Sequence, residues 1–141
     1  MNLPRVYLCA GDGAGWAVDE DLRLTREALR DVAKFVDSPA QAQVIHAVWW
    51  EPLMRHSHAE LAGKHVICHM AGDPLRCWGE PRFLRATRRT TLWIAQSRDA
   101  LAKLKTIGAS AEYVPYAVDT GCYERARADV GDAARTGDYL S

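Results

Sequence analysis

A chain of 141 residues is enough for one ordinary domain, and a hydrophobic fraction of 48% with 26% charged residues is that of a globular protein. Lysine plus arginine equals aspartate plus glutamate at 18 each, which argues against a nucleic-acid groove built on bulk positive charge. No apolar run approaches the ~18 residues of a membrane span.

The N-terminus, MNLPRVYLCAGDG, has one early basic residue and no long apolar stretch, so it reads as a first strand rather than a signal peptide. The run RVYLCA, residues 5–10, is bounded by Pro4 and Gly11 and is strand one. GDGAG then breaks the chain. From Trp16 or Ala17 to about Val36, the residues Leu22, Leu29, Val32, Ala33 and Val36 recur mostly at helical spacings, which predicts one amphipathic helix. Asp19, Glu20 and Asp21 fall in its first turns, where the helix dipole favours negative charge. QVIHAV, residues 43–48, is strand two, and a helix over about 51–62 closes at Gly63. KHVICH, residues 64–69, is strand three, followed by a loop over 71–81 and a short helix around 82–88. TLWIA, residues 91–95, is strand four. Ser97 is a suitable N-cap for a helix through Ile107, with Gly108 just past its end. AEYV, residues 111–114, is strand five, and a short helix is expected near Gly121. The remainder is small and polar and reads as a linker or a ragged end.

Alternating strands and helices predict an α/β fold. It is a Rossmann-like, doubly wound and mostly parallel sheet of about five strands with helices on both faces. In such sheets ligands lie beyond the carboxyl ends of the strands. That rule gathers the candidates onto one rim: Gly11, Asp12, Gly13, Gly15 and Trp16 after strand one, and His46 at the end of strand two. His69 and Asp73 follow strand three, Ser97 follows strand four, and Tyr116 follows strand five.

Each candidate has a plainer alternative. GDGAG either lets backbone amides approach a ligand or is a tight turn that needs glycine; with Trp16 at the last glycine position it is not the dinucleotide fingerprint. His69 either orients a substrate hydroxyl or bonds a backbone carbonyl. Asp73 either accepts from a polyol or is a Gly-Asp-Pro turn residue. Trp49 and Trp50 either stack on a sugar or pack in the core, one inward and one outward. The basic run Arg85–Arg89 is a solvated helix face or meets an anionic surface. His65, Cys68, His69 and Cys77 invite a zinc reading. Strand alternation turns Cys68 away from both histidines, however, so no metal site is expected. Cys9, Cys68, Cys77 and Cys122 are widely spaced, which points to free thiols in a reducing compartment and hence to the cytoplasm.

From strand four onward, TLWIAQSRDALAKLKTIGASAEYVPYAVDTGCYE resembles a segment of the GT-B glycosyltransferases, specifically glycosyltransferase family 4. Ser97, Gly108, Val114-Pro115, Val118-Asp119 and Tyr123 carry the likeness, and the glycine loop and His69 extend it over about residues 5–123. Where the family usually has PNG before VD, this chain has Pro115-Tyr116-Ala117. The resemblance implies that residues 1–125 are the N-terminal, acceptor-side domain of a retaining nucleotide-sugar glycosyltransferase. Residues 126–141 would then be a linker or the start of a C-terminal donor-binding domain. It implies His69 as the catalytic histidine near the transferred sugar. Gly11, Asp12, Gly13, Gly15, Trp16, His46, Asp73, Ser97 and Tyr116 would be substrate-binding. No cofactor or metal is implied, only a nucleotide-sugar co-substrate held mainly by the C-terminal domain. The implied partners are a sugar, lipid or glycan acceptor and that second domain, with room for peripheral contact at the inner membrane face and for a homodimer. The alternative is a stand-alone Rossmann-like module that binds a saccharide or a protein without turnover.

Overall fold

The computed structural model describes residues 2–9 and 17–115. Their strands are β1 (Arg5–Cys9), β2 (Lys34–Phe35), β3 (Val44–Ala47), β4 (His65–Met70), β5 (Leu92–Ala95) and β6 (Ala111–Tyr113). The helices are α1 (Ala17–Leu29), α2 (Trp50–Leu53), α3 (His58–Leu61), α4 (Pro74–Cys77), α5 (Pro81–Arg89) and α6 (Arg98–Thr106). All strand pairs are parallel, in the order β2-β1-β3-β4-β5-β6, so the fold is α/β and Rossmann-like with six strands rather than about five. The chain goes from β1 outward to β2, then crosses to the other side of β1 for β3. The β1/β3 boundary is therefore the topological switch point.

One face of the sheet holds the main core. Ile45, Ala47, Val66, Cys68, Met70, Trp93 and Ala95 alternate onto it and meet Trp50, Leu53, Phe83, Ala86 and Leu104 from the helices. Phe83 is fully buried and sits between two tryptophans, with ring centroids 5.5 Å from Trp50 and 5.7 Å from Trp93. The other face carries a smaller cluster, Val6, Leu8 and Ala33, with Leu22 and Leu29 of α1 packed against it.

The sixth strand corrects the long first helix. Helix α1 stops at Leu29 rather than near Val36, and Lys34–Phe35 adds an edge strand beside Arg5 and Val6. The Lys34 N–H donates to the Pro4 carbonyl and the Val36 N–H to the Val6 carbonyl, so the free edge of β1 captures this segment. Ala33 is buried by that pairing, whereas Val32 is 56% exposed. The helix expected over about 51–62 is two helices. Ser57 and Glu60 form a reciprocal capping box that starts α3 afresh. The loop expected over 71–81 contains α4, capped by Asp73 and begun by Pro74.

Ser97 caps α6 as expected, accepting from the Ala100 N–H at 3.0 Å. Gly108, at φ +75°, ends it in a Schellman arrangement: Gly108 N–H donates to Lys105 and Ala109 N–H to Leu104, both at 3.0 Å. Cys9 and Cys68 are buried free thiols and Cys77 is a half-buried one. Cys122, the helix near Gly121, and the boundary at residue 125 lie outside the described residues.

Phe83→Ala should cost about 3–5 kcal/mol in urea unfolding, because it opens a cavity between two fixed indoles. Val32→Ala should cost less than about 0.5 kcal/mol. Equal losses at the two positions would contradict this core.

Candidate functional site

The register of three adjacent strands builds the site. His46 of β3 lies opposite Ile67 of β4, and His69 lies two residues further along the same face. His69 is in turn opposite Ile94 of β5, and Gln96 lies two residues beyond it. Strand side chains repeat every two residues, so His46, His69 and Gln96 form a diagonal row on one face at the carboxyl end of the sheet. The opposite face at the same positions is core: Ala47, Cys68, Met70 and Ala95 are all fully buried.

The two imidazoles are bonded to each other. Their Nε2 atoms are 2.8 Å apart, with ring centroids at 4.9 Å and planes at 60°. One ring must donate and the other accept, so both cannot carry a proton on Nε2. Burial lowers the pKa of His46 to about 4, and the neighbouring His69 pushes in the same direction. Burial lowers His69 to about 4 as well. At neutral pH the pair is uncharged. Two polar atoms of the row lack a partner: His69 Nδ1 and Gln96 Oε1 are buried without a hydrogen bond.

A cavity of about 220 Å³ opens against this row. Its far wall is α1, through Leu24, Thr25, Ala28 and Leu29 among others, and Val114-Pro115 after β6 closes one side. The helix was expected to bury one face. In fact none of its residues is fully buried. It bridges the histidine row instead of packing onto it, and the apolar side chains of its inner face line the gap. Asp21 is the one acidic residue on the cavity wall among the described residues.

The other sequence candidates are placed differently. Asp73 does not line the cavity. Its Oδ1 accepts from the Leu75 N–H at 2.9 Å and its Oδ2 from Lys103 Nζ at 2.8 Å, and these bonds, the lysine's foremost, hold its carboxyl below the usual range. The Asp73–Lys103 pair ties the start of α4 to α6, and Lys103 also bonds Asp99, one turn back on its own helix, at 2.8 Å. Ser97 is engaged as the cap of α6. Trp50 is buried in the core, and Trp49 is half-buried beside it at 6.2 Å between ring centroids. Of the basic run, Arg89 donates to the His56 carbonyl at 2.9 Å, while Arg85 and Arg88 are exposed. His65 is exposed and lies on the same face as His69, and Cys68 points away from both. No group of three metal-ligating side chains occurs among the described residues. Gly11, Asp12, Gly13, Gly15, Trp16 and Tyr116 lie outside the described residues.

Gln96 and the inner face of α1 were missed from the sequence. The signal for Gln96 was its position: directly after a strand, on the carboxyl rim, and in phase with Leu92 and Ile94. No helix among the described residues is long and apolar enough to cross a membrane. The chain matches no family model, no curated protein and no solved structure.

The histidine pair sets a pH dependence. Both groups have pKa values lowered from 6.5 to about 4, so the unfolded chain binds more protons than the folded one between those limits. Stability should be complete above pH 6.5 and fall as pH drops toward 4, by up to roughly 3 kcal/mol per histidine. Urea unfolding of wild type and of His46→Gln/His69→Gln across that window checks this. An unchanged pH slope in the double variant would refute it.

Proposed function

We propose that this chain is the acceptor-side domain of a retaining nucleotide-sugar glycosyltransferase, resembling family 4. The observation that carries the reading is the presentation of His69 near the carboxyl end of β4, on the wall of a cavity lined from β3, β4, β5 and α1. That is where a doubly wound sheet offers a ligand site. In glycosyl transfer the acceptor oxygen forms a bond to the anomeric carbon while the bond from that carbon to the diphosphate breaks, and the hydroxyl proton passes to an oxygen of the departing diphosphate. A neutral imidazole at the reacting hydroxyl can hold it by one hydrogen bond. With a pKa of about 4, His69 is a weak base at neutral pH, so its part is to orient the hydroxyl rather than to strip its proton. The nucleotide sugar would be held mainly by a second domain of the same protein, and the cytoplasm, at or near the inner membrane face, would be its place of work.

The low basicity of both histidines favours one second reading, a Rossmann-like module that binds a saccharide or a protein without turnover. Transfer assays separate the two. The natural protein, incubated with a panel of nucleotide sugars and candidate acceptors, should release nucleoside diphosphate. In the protein carrying both domains, His69→Ala should lower that release by at least about a hundredfold, with the fold intact by circular dichroism. Full activity in that variant would sink the transferase reading of His69, and no transfer with any donor would favour the binding module.

A further inference from the structure

The charges of this chain cancel in total but are segregated in space. Between residues 50 and 107, arginine and lysine number ten against five aspartates and glutamates, whereas between 17 and 37 they number four against six. The first stretch supplies the helices on the main core face of the sheet, and the second supplies α1 on the other face. A neutral chain built this way offers one basic side.

Helix α5 concentrates that charge. Its nine residues hold four arginines and no acid. Phe83 and Ala86 are fully buried, while Arg82, Arg85 and Arg88 are exposed. These three recur every three residues, so they form one stripe about 9 Å long on the outer side of the helix. Arg82 lies 3.9 Å from Glu80, and Arg89 donates to the His56 carbonyl. Arg85 and Arg88 make no ion pair or hydrogen bond among the described residues. Helix stability does not call for this pattern. Arg85 has like charges at Arg82, Arg88 and Arg89, at spacings of three and four where like charges repel. The helix dipole favours a cation in the last turn but opposes one at Arg82 in the first.

Apolar side chains are exposed beside the stripe. Trp78 is 39% exposed, and Leu75, one turn before it, is 45% exposed. Trp78 shares the wall of a groove with Leu84, Thr87 and Arg88 of α5, which places the indole next to the arginines. An exposed indole beside unpaired guanidinium groups suits the headgroup level of a bilayer, where the ring is half buried and its N–H stays wet. It suits a nucleic acid less well, because the arginines stand on the ridge of a helix and not along a channel that tracks a backbone.

We propose that the α5 face docks on an anionic phospholipid surface, with Arg82, Arg85 and Arg88 on the headgroup phosphates and Trp78 and Leu75 lowered among them. The contact rests on charge, so it is short-ranged and weakened by salt. It stands on its own residues and does not rest on the transferase reading.

The test is co-sedimentation of the full chain with lipid vesicles, each variant's fold being checked by circular dichroism. Vesicles of equal phosphatidylglycerol and phosphatidylcholine should bind the chain at about 0.1 M salt and release it at about 0.5 M, and phosphatidylcholine alone should leave it in solution. Arg85→Gln/Arg88→Gln should weaken binding roughly twentyfold. Arg30→Gln/Lys34→Gln removes the same charge from the turn and edge strand after α1 and should leave binding unchanged. Trp78→Gln should weaken it several-fold with the same response to salt. No binding to the anionic vesicles, equal binding to the neutral ones, an equal loss in both double variants, or an unaltered affinity of Trp78→Gln would each overturn the inference. Tighter binding to single-stranded RNA, lost with Arg85 and Arg88, would overturn it in favour of a nucleic acid. Vesicle binding without any glycosyl transfer would overturn the transferase reading alone, and transfer without vesicle binding would overturn the docking surface alone.

Discussion

The parallel register of β3, β4 and β5 is the constraint from which the rest of the molecule follows. Side chains alternate along each strand, so committing Ile45, Ala47, Val66, Cys68, Met70, Trp93 and Ala95 to the aromatic core leaves no freedom for the residues between them. A slip of one residue in β4 would drive His65, Ile67 and His69 into the layer that holds Phe83 and Trp93, and would expose Val66, Cys68 and Met70. Two imidazoles in that layer would be desolvated, and His69 would lose the bond it makes with His46. The register is therefore held by the core face, and the polar row on the opposite face is carried along with it.

Burial then sets the chemistry of that row. A helix packed tightly over His46 and His69 would have filled the space above them; α1 instead spans it and leaves a cavity. The rings are far enough from solvent to lose their charge, yet they face an opening that a small molecule can enter. The same desolvation that pushes both pKa values to about 4 also strengthens each hydrogen bond made there. The link between the two Nε2 atoms consumes one nitrogen from each ring and leaves His69 a single unpartnered atom.

Much of this was legible in the residues. Alternation of apolar runs with helical spacing predicted the α/β class, and Ser97 and Gly108 marked both ends of α6 because their cap chemistry is local. The edge strand was not legible: Ala33 and Val36 continue a helical spacing from Leu22 and Leu29, and only the unpaired edge of β1 decides against it. The break between α2 and α3 was written in Ser57 and Glu60, a capping box inside what looked like one helix. Asp73 showed the limit of reading a rim residue by position alone. It lies on the rim, but both its oxygens are engaged, one capping α4 at Leu75 and the other bonding Lys103 of α6. The pairing of His46 with His69 required the strand register, which apolar patterning does not supply across a gap of 23 residues.

The neutrality of the pair also bears on what kind of chemistry this rim can support. A histidine that must take a proton during turnover works best with a pKa near the ambient pH, and a shift to about 4 removes that capacity at neutral pH. What remains is direction. An imidazole tied at Nε2 to its neighbour, on a strand whose register the core face holds, keeps a set orientation without carrying charge.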